Sequence, residues 1–290
     1  MTRELATTSR RLDRSTFSFR LYEKAKRLGV WNPADIDLTR DAADYAALAP
    51  AERELILRLV ALFQAGEEAV TVDLLPMILA IADEGRLEDE LFLTTYLFEE
   101  AKHTDLFDRL LVEVLRPEVP LSSLVTPSYA EIFDDALPSA MRALLTDRSP
   151  AAWARAGAAY QIIVEGTLAE TGYHGVHRVL EERRLMPGTV AATALLKQDE
   201  ARHLAFGLAT LDRVLRAHPS AFAALDETLD ALLPSAVGVV QELFAPFGDA
   251  IPFDLDPQEF IDFALDQYAK RYAVLEAARD GRPSRFDDAL

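Results

Sequence analysis

The chain contains no cysteine, which removes a disulfide framework, a thiolate metal site and a cysteine nucleophile from consideration together. It has no run of 18 apolar residues, the length that a membrane-spanning helix needs, and its opening stretch, Met1 to Arg11, lacks the apolar segment of a signal peptide. A soluble, cytoplasmic protein with no membrane span is expected. Positive charge is scarce: 30 Lys and Arg stand against 48 Asp and Glu, a net charge of −18. That balance disfavours nucleic acid or an anionic membrane surface as the main ligand. No Pro/Gly/Ser-rich linker divides the 290 residues, half of which are hydrophobic. A single domain over 1–290 is expected, with an arm at 1–48, a bundle at 50–216, and flanking helices and a tail at 218–290.

What is present is helical periodicity, with no convincing alternating strand pattern, so the fold class is all-α. The arm reads as one short helix around Phe17–Leu28 followed by a turn at Trp31-Asn32-Pro33-Ala34-Asp35. Pro50 suits the first turn of a long helix carrying Glu67, which Pro76 is expected to kink or end. A second helix spans about Leu87 to Leu115, and a proline-bearing crossover through Pro120, Pro127 and Pro138 follows. Ser149-Pro150 has the form of an N-cap with Pro at the first helical position. The next break is Leu185-Met186-Pro187-Gly188, with Gly188 preceding a helix to about Ala217, and two flanking helices are expected near Ser220–Leu243 and Pro257–Ala278.

Two short patterns carry chemistry: Glu100-Ala-Lys-His103 and Glu200-Ala-Arg-His203. Residues three apart lie one turn apart on one helix face, so each pattern delivers a carboxylate and an imidazole to one point. Chance alone gives about 0.4 such matches at this Glu and His content, so spacing has to add to the argument. Another glutamate precedes each pattern, Glu67 by 33 residues and Glu165 by 35. The midpoints fall at Asp83-Glu84, directly before Gly85, and at Glu182-Arg183, just before the second break. In an antiparallel hairpin, residues equidistant from the turn share one height, so both hairpins aim their acids at one level. Four carboxylates converging in a helical core repel one another and lose hydration unless cations join them. A Glu from each of two helices and a Glu-x-x-His from each of two others is the ligand set of two-metal carboxylate bundles. Neighbouring Glu68, Glu99, Glu181 and Glu182 read as solvated helix-face residues.

The segment Trp31–Asp41, the Glu67 helix and both Glu-x-x-His helices resemble the small subunit of ribonucleotide reductase, in the ferritin-like superfamily, over roughly residues 30–210. Gly66-Glu67-Glu68-Ala69-Val70-Thr71, Glu100–His103, Tyr160–Glu165 and Asp199–His203 look most like that family's ligand-binding oxidase branch. The resemblance implies a ferritin-like four-helix bundle with additional flanking helices, metal ligands Glu67, Glu100, His103, Glu165, Glu200 and His203, and one manganese and one iron ion, with two irons as the alternative. It also implies dioxygen activation for a two-electron oxidation, a long-chain fatty acid or similar apolar ligand, an ether cross-link between Val70 and Tyr160, and a homodimer. Val70 stands one turn from Glu67, whereas Tyr160 lies about 140° from Glu165 on an ideal α-helix and needs a π-type distortion near Gly157 or Gly166. Trp31 and Asp199 match the family's electron-transfer residues, and Tyr173, eight residues after Glu165, can line the ligand cavity. His174 and His177 point away from the metal face.

Radical-forming relatives carry a tyrosine four residues after the first motif histidine; here the residue is Phe107. A rarer reductase class also has Phe there, so a tyrosyl-radical-free reductase small subunit is the second reading. Tyr268, Tyr272 and the ending Phe286-Asp-Asp-Ala-Leu290 are its candidate relay and docking tail. A non-catalytic iron-binding bundle is the third.

Overall fold

The computed structural model describes residues 5–286, and no strand occurs among them. After a one-turn helix at Ala6–Ser9, the principal helices are α1 (Phe17–Leu28), α2 (Thr39–Ala47), α3 (Pro50–Asp83), α4 (Leu87–Arg109), α5 (127–143), α6 (150–181), α7 (Pro187–Ala217), α8 (Phe222–Phe244) and α9 (Pro257–Arg279). Helices α3, α4, α6 and α7 form the ferritin-like core, while α8 and α9 pack along α6. The arm holds more helix than its sequence suggested: α2 is a second helix, with Tyr45 buried on its inner face. The crossover is likewise helical, and Pro138 lies inside it, directly after a π-helical stretch at Glu131–Ala136.

Each ligand helix starts and stops for a local reason. Pro50 opens α3, and the Glu52 carboxylate accepts the Ala49 N–H at 2.8 Å. The hairpin from α3 to α4 turns at Gly85, whose φ of 71° is the left-handed conformation that glycine adopts without a steric penalty. Helix α6 starts at Ser149, whose hydroxyl accepts the Ala152 N–H at 3.2 Å. The second hairpin turn is more strained, with Arg184 and Met186 both at positive φ. It is held by the arm: Asp44 accepts the Met186 N–H at 2.9 Å, and buried Asp41 accepts the Gly188 and Thr189 N–H groups at 2.9 and 2.6 Å. Helix α7 therefore begins at Pro187, and Gly188 lies inside its first turn instead of preceding it, where a Cβ would meet the Asp37 carbonyl at 2.4 Å.

Pro76 does not end α3, which continues to Asp83. An interior proline costs about 3 kcal/mol, but burial of its neighbours outweighs it. Leu74, Ala80 and Ile81 are completely buried, as are Phe92 and Leu93 on α4 in the same core. Helix distortion occurs elsewhere. Helix α4 runs on as a π-helical stretch, Leu110–Leu115, and in α6 residues Ala158–Ala169 are π-helical, the distortion that the Tyr160 spacing requires. The stretch Pro219–Phe247 is long and apolar enough by composition to cross a membrane, yet it contains α8, which packs against α5, α6 and α9.

Candidate metal centre

Glu67 comes from α3, Glu100 and His103 from α4, Glu165 from α6, and Glu200 and His203 from α7. All six are buried, and they form two overlapping groups whose ligand atoms lie within 4.8 Å of one another: Glu67, Glu100, His103 and Glu200; and Glu100, Glu165, Glu200 and His203. Glu100 and Glu200 belong to both groups. His103 Nδ1 stands 3.5 Å from Glu67, 3.6 Å from Glu100 and 3.3 Å from Glu200, and His203 Nδ1 stands 3.0 Å from Glu100 and 3.5 Å from Glu200.

Both imidazoles turn Nδ1 inward because Nε2 is held from outside. Nε2 of His203 lies 2.8 Å from Glu99, and Nε2 of His103 lies 3.4 Å from Asp199. A carboxylate behind the ring fixes its orientation and presents the opposite nitrogen to a cation. Glu99 is thus not a solvated helix-face residue but 1% exposed, and it also receives Arg202 at 2.7 Å. Glu68, Glu181 and Glu182 are exposed, as expected. Asp199 is fully buried and accepts from Trp31 Nε1 at 2.8 Å, Lys102 Nζ at 3.0 Å and Arg202. Tyr96, absent from the sequence reading, donates its hydroxyl to Glu165. It lies four residues before Glu100, on the same face, so helical spacing contained the signal.

The charge state of this cluster follows from its burial. Desolvation pushes Glu67 up to about 8, partly opposed by His103. Desolvation and the Glu200 charge raise Glu165 well above the carboxylate range. Burial also acts on Glu100, but the nearby His103 and His203 prevail and hold it down to about 2; Glu200 is lowered against its burial as well. Burial alone would lower both histidines, yet the surrounding carboxylates raise each well above its ordinary value. Both Glu100 oxygens, Glu165 Oε2 and the Nδ1 atoms of His103 and His203 are buried without a hydrogen-bond partner. Orphaned ligand atoms of this kind, converging from three helices with Glu67 of the fourth beside them, fit two divalent cations bound by oxygen and imidazole nitrogen.

The other expected residues surround this cluster. Val70 and Tyr173 line an apolar cavity of about 120 Å³ whose wall includes Glu67, Glu100, Glu165 and Glu200. The Tyr173 ring stacks on Phe63 at 5.4 Å, and its hydroxyl is buried without a hydrogen-bond partner. Tyr160 is fully buried, its hydroxyl also unpartnered, with its ring parallel to Tyr96 at 6.2 Å. Phe107 stacks on Phe63 at 4.8 Å. His174 and His177 face away, toward Glu259 and Glu181.

Four helices, four carboxylates and two inward imidazoles define a two-metal carboxylate bundle. The chain belongs to the ribonucleotide reductase small-chain family, which matches residues 18–270. Among solved structures it is similar to an R2-like ligand-binding oxidase with aerobically reconstituted Mn/Fe cofactor, at 38% identity and a TM-score of 0.89, over 94% of this chain and 97% of that one. It is also similar to an R2-like ligand-binding oxidase after photoconversion, at 38% identity and a TM-score of 0.90, over 94% and 98%. Family and neighbours together make it a di-metal oxidoreductase.

Proposed function

We propose that the chain is a manganese–iron oxidase that activates dioxygen for a two-electron oxidation, takes a long-chain fatty acid or similar apolar ligand, and joins Val70 to Tyr160 through an ether. The observation that carries this reading is the cavity: its wall carries the four carboxylates, and most of its lining is apolar, with Leu55, Leu62, Phe63, Leu168 and Val239 among it. A storage site needs an ion path, whereas an apolar chamber on the metal face suits a water-poor oxidation and an acyl chain. At about 120 Å³ the cavity takes the first carbons of a chain, and movement of the partly buried Leu59, Phe63 and Leu243 makes room for the rest.

Glu67, Glu100, His103 and Glu200 would hold one ion, and Glu100, Glu165, Glu200 and His203 the other. When bound there, such a pair supplies dioxygen reduction and the matching oxidising capacity. The protein residues set the geometry. Glu99 and Asp199 orient the imidazoles, Tyr96 holds Glu165, and the apolar lining excludes water. Joining the Tyr160 oxygen to a Val70 side-chain carbon removes one hydrogen from each, a two-electron oxidation with dioxygen as acceptor. Trp31, through Asp199 and His103, is the path by which an external electron reaches the centre.

The same path favours a second reading, a tyrosyl-radical-free reductase small subunit. Tyr268 and Tyr272 stack at 6.0 Å as its candidate relay, while the last four residues of its candidate tail, 287–290, lie outside the described residues. Intact mass separates the readings: aerobic loading with manganese and iron lowers it by two hydrogens, and Tyr160→Phe abolishes the change. An unchanged mass in the parent protein refutes the oxidase reading, and nucleotide reduction upon mixing with a large subunit establishes the other.

A further inference from the structure

Lys102 belongs to neither metal group, yet it is 6% exposed and fixed in place. Its ammonium donates to the Gly29 carbonyl at 2.8 Å and to Asp199 at 3.0 Å. It also stands 4.2 Å from the centre of the Trp31 ring, with Phe98 at 5.5 Å. Trp31 is only half-buried; its indole N–H bonds Asp199, and its ring lies nearly parallel to His103 at 6.2 Å. An indole bonded to a carboxylate that also touches a metal-facing imidazole is well placed to give up an electron.

We propose that the Lys102 ammonium makes Trp31 harder to oxidise, so that the oxidising power generated beside the cavity acts on Val70, Tyr160 and the bound ligand, and Trp31 relays an electron only when an external donor supplies one. A cation over a neutral indole face is attracted by the ring quadrupole, whereas over a ring that has lost an electron it is repelled. Lys102 also neutralises the carboxylate that would otherwise stabilise the oxidised indole. Lys102 therefore acts through Trp31 as a positioning residue and touches no reacting atom. This proposal rests on the oxidase reading, but its first test does not.

The test uses full-length protein carrying redox-inert zinc, in a Trp153→Phe background that leaves Trp31 as the sole indole. A flash-generated ruthenium(III) polypyridyl complex takes one electron from Trp31 and becomes ruthenium(II), while the Nε1 proton stays in its bond to Asp199. The rate is read from the transient indole-radical absorption. Lys102→Met and Lys102→Gln should be oxidised at least about tenfold faster than the parent, and Lys102→Arg at the parent rate, because Coulomb repulsion at this distance in a partly buried site reaches that size. Lys102→Gln retains hydrogen-bonding capacity, so the test survives if the methionine variant fails to fold. Equal rates in the parent, Gln and Arg proteins overturn the proposal. A second readout is peptide mass after aerobic loading with manganese and iron: Lys102→Gln should show oxygenated Trp31 at the expense of the Val70–Tyr160 cross-link. A cross-link missing from the parent protein defeats the oxidase reading, while the photo-oxidation rates still decide the role of Lys102.

Discussion

Loading the centre with two divalent ions must expel protons, and their number follows from the charges already in the cluster. At neutral pH without metal, Glu67 at about 8 and the strongly raised Glu165 are protonated, Glu100 at about 2 and the lowered Glu200 are ionised, and both histidines carry a proton. Two negative and two positive charges cancel. With two cations bound, all four carboxylates are ionised and both imidazoles are neutral, so the site is again uncharged. The difference is four protons. The constant for binding both ions should therefore rise by about four orders of magnitude per pH unit near neutrality, or roughly 5 kcal/mol. The sign is fixed by the raised values, since acid favours the proton-bearing, metal-free form. Above about pH 8 the Glu67 contribution disappears, and the slope should drop toward three. Anaerobic calorimetry with manganous and ferrous ions, repeated in buffers of different ionisation enthalpy, counts the protons directly. Release of none or one, or an affinity flat between about pH 6.5 and 7.5, refutes the electrostatic account.

Glu99→Gln removes the charge that holds His203 Nε2 at 2.8 Å, and affinity at the His203 site should fall about 10- to 100-fold in chelator competition, with the His103 site affected less. Asp41→Ala orphans the Gly188 and Thr189 N–H groups at the start of α7 and should cost about 2–4 kcal/mol in urea unfolding; a change below about 0.5 kcal/mol contradicts the capping argument. Leu74→Ala, at a completely buried position opposite α4, should destabilise by about 2–5 kcal/mol in the same assay, and a neutral result would mean that this part of the core is loosely packed.

The helical framework was legible because Pro50, Gly85, Ser149 and Pro187 sit where backbone chemistry stops or starts a helix. The convergence of Glu67, Glu100, His103, Glu165, Glu200 and His203 was legible for a different reason: two Glu-x-x-His faces, each paired with a glutamate equidistant from a turn, leave little freedom in where the side chains meet. Glu99 was not legible. Next to Glu100 it lies about 100° around the helix, a bearing that reads as solvent until α7 brings Arg202 and His203 against it. Lys102 escaped notice likewise, since its partners Gly29, Trp31 and Asp199 come from distant parts of the chain. Pro76 misled because local propensity predicts a break that the burial of Leu74 and Ile81 overrides. In α6 the need for a π distortion could be inferred from the Tyr160–Glu165 spacing, but its extent, Ala158–Ala169, depends on packing against α8 and α9.

Anomalous diffraction from crystals grown with manganous and ferrous salts puts the central claim to its most direct test. Two peaks flanked by Glu100 and Glu200, one also beside Glu67 and His103 and the other beside Glu165 and His203, are the predicted result. A single ion, or ions bound only by exposed acids elsewhere, would contradict the assignment of this bundle as a two-metal centre.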